Sequence, residues 1–146
     1  MALMSGTLVR DIMPRKMVTI SESDRLSTVE DIMTLGRVRH MPVVHGGKLV
    51  GVVSERDLLR SSLSNLSEFG NEERRAFLHV VEIGRVMSAP AITVGPRDSV
   101  EQAAKVMAER KIGCLPVVDE EHMLLGLITE TDVLRYFAGL EPIDEA

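Results

Sequence analysis

Cysteine occurs once among the 146 residues, as Cys114, so no disulfide can form within the chain. That usage suits a reducing compartment, and a cytoplasmic protein is expected. Aromatic residues make up only 3% of the sequence, so a core has to be built from Val, Ile, Leu and Met. No stretch approaches the roughly 20 apolar residues of a membrane span. The opening "MALMSGTLVRDIM" has no long apolar run behind a basic start, so no secretory signal is read there. Positive charge is also short: 17 Lys and Arg against 22 Asp and Glu leave a net charge of −5. That balance argues against a broad footprint for nucleic acid.

Catalytic motifs are missing too. The sequence contains no G-x-S-x-G, no Walker phosphate loop and no G-x-G-x-x-G. His40, His45, His79 and His122 show no metal-site spacing with each other or with Cys114. A catalytic thiol needs a base beside it, and the sequence identifies none for Cys114, which reads as a small, half-buried hydrophobe. With 45% hydrophobic and 27% charged residues the composition is ordinary for one domain or two small ones.

What is present is a duplication. "GVVSERD" (Gly51 to Asp57) returns as "GLITETD" (Gly126 to Asp132). Met13 pairs with Met87, an offset of 87 − 13 = 74, and the same offset pairs Thr19 with Thr93, Asp24 with Asp98, Met33 with Met107 and Pro42-Val43-Val44 with Pro116-Val117-Val118. From Gly51 and Gly126 the offset is 126 − 51 = 75, so one extra residue lies between Val118 and Leu124, where a hairpin turn tolerates it. "MVTI" and "AITV" read as short strands. "LSTVEDIMTLG" places apolar residues near helical spacing, as does its counterpart. "HMPVV" and "LVGVV" form a hairpin across "HGGK", whose glycines tolerate positive φ. Each repeat is therefore β-α-β-β-α, entered through a helical turn at "LVRDIM" or "IGRVM". Between the repeats, Leu63, Leu66, Phe69, Phe77, Leu78, Val80 and Val81 supply apolar surface. "NEERRAFLHVVE" reads as an amphipathic helix that packs on the module.

The repeated phrase has two readings. In the first, Ser54 or Thr129 caps a helix and the aspartate three residues on completes a capping box. In the second, the same geometry serves a ligand. A helix N-terminus at a strand end attracts anions, a hydroxyl there bonds phosphate, and an aspartate one turn in accepts from ribose hydroxyls. The glycine three residues before the hydroxyl lets backbone or ligand approach the strand closely.

Two such units, each with "PVV", a glycine and an [ST]-x-x-D ending, resemble a pair of CBS domains, the cystathionine-β-synthase-type motifs that associate into a Bateman module. The resemblance covers residues 8–62 and 82–138, with a helical linker at 63–81 and a tail at 139–146, together one stand-alone module. It implies an α/β (α+β) fold of two β-α-β-β-α motifs packed through their sheets with pseudo-twofold symmetry. It also implies two clefts between the motifs and a homodimer. Ribose contact falls on Asp57 and Asp132, and phosphate contact on Ser54 and Thr129. Backbone near the base falls on Thr19 and Thr93. The base and phosphate side falls on Val38, Arg39 and His40 in one repeat and on Ile112, Gly113 and Cys114 in the other.

The implied function is a non-catalytic regulatory module that needs no cofactor. Its ligand would be AMP, ADP, ATP, S-adenosylmethionine or NAD. The site with Arg39 would hold phosphate more tightly than the site with Gly113. The partner that receives its signal is not named by the sequence, and neither nucleic acid nor membrane is expected as a partner. The alternative is a dimerisation or protein-interaction scaffold with vestigial clefts.

Overall fold

The computed structural model describes residues 6–14, 16–36, 38–66 and 70–142, and the side chains of 61–66 and 71 are left aside. Phe69 and the side chains of Leu63 and Leu66, read above as linker surface, lie outside the described residues. The elements in order are α1 (Val9–Ile12), β1 (Ile20–Ser21), α2 (Leu26–Gly36), β2 (His40–His45), β3 (Lys48–Ser54), α3 (Glu55–Leu66) and α4 (Asn71–Val80). A 3-10 turn (Ile83–Arg85) follows, then α5 (Val100–Arg110), β4 (Cys114–Val118), β5 (Leu124–Thr129) and α6 (Glu130–Phe137). The mixed α/β character matches the expectation from the sequence.

The first sheet has the order β1-β2-β3, with β1 parallel to β2 through Ile20 opposite Val43. The second is the antiparallel β4-β5 hairpin, joined in parallel by the single residue Val94 opposite Val117. The runs "MVTI" and "AITV" are thus shorter as strands than they read. Of the first only its last residue, Ile20, enters a ladder, and of the second only Val94 does. The hairpin turns differ as the offset requires. Gly46 and Gly47 both adopt positive φ (57° and 81°), as a two-residue turn demands. In the second hairpin His122 takes positive φ (67°), and one Asp119 carboxylate oxygen accepts from the amides of Glu121 and Met123, both at 2.9 Å. The extra residue is absorbed by this longer turn and by a bulge between Val117 and Val118.

The chain folds into two compact units that are not consecutive segments. One comprises residues 1–18, Gly47–Leu49 and everything from Ala91 on, and the other comprises Thr19–Gly46 and Val50–Pro90. The reason lies in the entry turns, each of which docks within the unit built mainly from the other repeat. Val9 N–H donates to Asp98 O (2.8 Å) and Arg10 N–H to Pro96 O (3.1 Å). The equivalent bonds, Ile83 N–H to Asp24 O (2.8 Å) and Gly84 N–H to Glu22 O (2.9 Å), stand 74 residues away at both ends. The repeated aspartates hold the turns that receive them: Asp24 Oδ2 accepts from Ser21 N–H and Asp98 Oδ2 from Gly95 N–H.

Each unit has an aliphatic core. In the first, Val9 and Ile12 of α1 lie fully or nearly buried among Val94, Val100, Met107, Leu115, Ile128 and Val133. In the second, Leu26, Val29, Met41, Val43, Val53 and Ile83 are at most 0% exposed, so the entry turn again closes the core. α4 lies against α2 and α3 of this unit, with Leu78 buried and Arg74 paired with Glu30.

The repeated glycine of each phrase receives the methionine of an entry turn. A Cβ at Gly51 would stand 2.7 Å from Met87 Sδ and 2.9 Å from Ser88 O. A Cβ at Gly126 would stand 2.5 Å from Met13 Sδ, and the three atoms nearest to it all belong to the Met13 side chain. A flexible side chain yields more readily than a backbone carbonyl held in the two-way Val52–Ser88 bridge. Gly51→Ala is therefore expected to destabilise by roughly 1–3 kcal/mol, the usual range for overpacking, and Gly126→Ala by clearly less. Urea unfolding of the two variants checks the order, and equal losses would show that Met13 cannot move aside.

Candidate functional site

At the end of β3 the backbone must pass from a ladder, where each amide is paired, into a helix, whose first amides have no partner. Ser54 and Asp57 solve this together. Asp57 N–H donates to Ser54 Oγ at 3.1 Å, while Asp57 Oδ2 accepts from Ser54 N–H at 2.8 Å and from Ser54 Oγ–H at 3.0 Å. The second repeat does the same at β5. Asp132 Oδ2 accepts from Thr129 N–H (2.8 Å) and Thr129 Oγ1–H (2.9 Å), and Thr129 Oγ1 accepts from Asp132 N–H at 3.4 Å. These are reciprocal capping boxes. Both carboxylates accept these cap bonds through Oδ2, so the cap uses one oxygen of each.

A further backbone bond fixes what stands beside the cap. Glu55 N–H, the first amide of α3, donates to Arg39 O at 2.8 Å, and Glu130 N–H donates to Gly113 O at 3.0 Å. The segment preceding β2 or β4 is thereby tied to the start of the following helix. Cys114 also pairs directly with Thr129 across the hairpin. Since β1 runs parallel to β2, Thr19 just before it lies at the same sheet end as His40. Thr93, just before Val94, has the same place in the other unit.

The predicted residues therefore gather as two constellations. Thr19, Val38, Arg39, His40, Ser54 and Asp57 share one sheet end of the second unit. Thr93, Ile112, Gly113, Cys114, Thr129 and Asp132 share the corresponding end of the first. Thr19 and Arg39 are exposed, and Val38, His40, Ser54 and Asp57 are half-buried. In the other constellation Thr93, Ile112, Gly113 and Thr129 are half-buried. Cys114 is 8% exposed and Asp132 only 5%. Cys114 is thus buried more fully than its sequence reading as half-buried.

Sequence reasoning missed what fills the repeated glycine. At both copies an entry-turn methionine takes the space, with the Ser88 carbonyl beside it at Gly51. The near-equal spacing of Met13 from Gly51 (51 − 13 = 38) and of Met87 from Gly126 (126 − 87 = 39) was the available signal. It does not reveal that the partners are crossed. Among the described residues no group of three or more His, Cys, Asp or Glu is placed to hold a metal, and no helix is long and apolar enough to cross a membrane.

With this geometry in place the relatives can be identified. The CBS-domain family model matches residues 9–64 and 83–139, and the chain belongs to the CBS-domain family. It is similar to protein MJ1225 of Methanocaldococcus jannaschii, 33% identical over 135 residues. That match spans 90% of this chain and 47% of MJ1225, so the chain corresponds to about half of that relative. The solved structure of MJ1225 superposes with a TM-score of 0.79 at 31% identity. CBSX2 of Arabidopsis thaliana, solved in complex with AMP, gives a TM-score of 0.77 at 27% identity and covers 92% of this chain and 98% of that one. The CBS pair of protein MJ0100, solved with 5′-methylthioadenosine and S-adenosylmethionine, gives 0.76 at 26%, covering 91% and 97%.

Burial raises the Asp132 carboxyl above its ordinary value of 3.8, outweighing the two Thr129 hydrogen bonds and the Arg135 charge that pull it down. A carboxyl with a raised folded value binds its proton more tightly when folded. Its charged form then costs stability, a cost absent below 3.8 that develops as pH rises through the folded value. Asp132→Asn has no such titration. The stability of the native chain relative to Asp132→Asn is therefore expected to fall as pH rises from below 3.8 toward neutrality, as urea melts across that window would show. A difference that rose with pH would mean the cap bonds outweigh burial.

Proposed function

We propose that this chain is a non-catalytic regulatory module that binds adenine nucleotides or related adenosyl compounds at the two capped strand ends. The observation that carries the reading is the doubled placement of a carboxylate. Each is fixed through Oδ2 by its own cap, beside the backbone segment that precedes the proline strand. A carboxylate so held is pre-oriented to accept from the vicinal hydroxyls of a ribose, which reduces the ordering cost of binding. Support also comes from the similar CBS pairs, of which CBSX2 is solved with AMP and MJ0100 with 5′-methylthioadenosine and S-adenosylmethionine.

The two sites differ in charge. Arg39 is exposed and tied by its carbonyl to the start of the Asp57 helix, and Gly113 holds the equivalent place in the other repeat. A guanidinium gives a charge-assisted donor to phosphate, so the Asp57 site suits a nucleotide and the Asp132 site a less anionic adenosyl ligand. Regulation would follow from a difference in ligand affinity between conformations.

Thermal shift with AMP, ADP, ATP, S-adenosylmethionine and NAD tests the reading. A ligand at about 100 times its dissociation constant adds roughly 2.7 kcal/mol. Because Asp57→Ala would also remove a cap, Asp57→Asn and Asp132→Asn are the sharper variants: an amide oxygen still accepts from the cap amide but is a poorer ribose acceptor. The AMP shift should shrink in Asp57→Asn. Arg39→Ala should weaken AMP while leaving adenosine nearly unchanged. No shift with any ligand would instead favour an interaction scaffold, and equal losses from both aspartates would remove the proposed division between sites.

A further inference from the structure

The repeated phrase runs on past its aspartate to an arginine, Arg60 in one copy and Arg135 in the other, each three residues further along its helix. Residues three apart are neighbours on one helix face. Side chains of a helix also lean toward its N-terminus, which for Arg135 is the direction of Asp132 and Thr129. Its charge reaches the Asp132 carboxylate and is one of the pulls that lower its affinity for a proton. The guanidinium itself is engaged elsewhere: Arg135 Nε–H and Nη2–H both donate to Glu141 O, at 3.1 and 2.8 Å.

The way α6 ends brings the chain back to Arg135. Gly139 takes φ = 77°, its N–H donates to Tyr136 O at 3.1 Å, and Leu140 N–H donates to Arg135 O at 2.8 Å. This is the paired termination of a helix that stops at a left-handed glycine. Arg135 therefore holds the tail twice, by its carbonyl through Leu140 and by its guanidinium through Glu141. The other repeat has no counterpart. α6 stops at Phe137, just past its arginine (137 − 135 = 2), whereas α3 continues well beyond Arg60 to Leu66 (66 − 60 = 6). The tail contact thus belongs to the repeat that carries Gly113 where the first carries Arg39.

We infer that Arg135 is a specificity-determining residue of the Asp132 site and that the tail governs it as a strap. With Glu141 O holding the guanidinium, the site takes an adenosyl compound without phosphate. Released, the guanidinium turns back along α6 and gives the site the phosphate donor that Gly113 does not supply. The inference rests on the adenosyl reading of this site and adds its regulation. A phosphate offers a guanidinium negative charge as well as acceptor oxygens, and a backbone carbonyl offers an acceptor alone, so phosphate is the stronger partner. The strap bonds are exposed to solvent, so opening them costs little.

Gly139→Pro opens the strap away from the site. Proline cannot adopt φ = 77° and has no N–H for Tyr136 O, and a Cβ at Gly139 meets nothing within 4 Å. Amide NMR of the full chain separates the two sites, with Gly113 and Thr129 reporting one and Ser54 the other, and its dispersion shows that each variant is folded. The Arg135 Nε–H signal reports the strap with no ligand present. In Gly139→Pro that signal should move and exchange faster with water. AMP binding read at Gly113 and Thr129 should tighten about three- to tenfold, the effect of a charge-assisted hydrogen bond reduced by solvent, while adenosine binding and the Ser54 response stay unchanged. Adding Arg135→Gln should abolish the gain, and Arg135→Lys should keep part of it. An Nε–H signal indifferent to Gly139→Pro, no tightening of AMP, a gain shared by adenosine, or a gain that survives Arg135→Gln would each overturn the inference and leave the adenosyl reading standing. No response to AMP or adenosine at either site would overturn both.

Discussion

A carboxylate that reaches back to the last amide of a strand is the interaction on which both candidate sites depend. Without it, Ser54 and Thr129 would each leave an amide unpaired where ladder bonding ends and helix bonding has not begun. With it, the turn from β3 into α3 and from β5 into α6 has a single geometry. The first helical amide can then point at Arg39 O or Gly113 O. That bond draws the segment before the proline strand onto the helix start, which is how residues some 15 positions apart come to line one sheet end. The structural and the functional readings of [ST]-x-x-D are therefore not rivals. The cap occupies Oδ2 and orients the carboxylate, and orientation is what a ribose acceptor needs.

The cap was legible because it is local: hydroxyl and carboxylate lie three residues apart, and helical geometry leaves them little choice. The hairpins were legible for the same reason, down to the extra residue after Val118, which two glycines in one copy and a positive-φ His122 in the other accommodate. The crossed entry turns were not. Val9 precedes the first repeat and reads as part of it, yet its amide bonds Asp98 and its side chain lies in the core with Val100 and Ile128. Equivalence at a fixed offset cannot distinguish a turn that docks on its own repeat from one that docks on its twin, because both give the same pattern. The strands β1 and Val94 were overread because an apolar run signals burial, and burial here comes without ladder pairing for most of its residues.

The crossing also explains why so short a repeat does not stand as a unit by sequence order. Each sheet has only two or three strands, which is marginal alone. Closing each core with an entry turn from the other repeat adds buried residues, Val9 and Ile12 in one case and Ile83 in the other. Gly51 and Gly126 are the complement of that device. A side chain at either would hold the methionine away, so the glycine of the signature phrase serves the packing of the entry turn before it serves any ligand.

Duplication gives two equivalent frames, and the departures from equivalence show where each frame has been specialised. At two positions the charged residue stands in the second unit alone: Arg39 has Gly113 as its counterpart, and Glu30 has Ala104. On that unit the face between α2 and α3 is already taken by α4, which leaves its charged sheet end as the distinctive accessible feature. On the other unit the sheet end is less charged and its aspartate nearly buried, while the helical face is open and apolar. A pair built from two identical halves would offer the same chemistry twice. In this chain the two halves present different surfaces, an exposed Arg39 at the sheet end of one unit and an exposed Leu134 on a helix of the other.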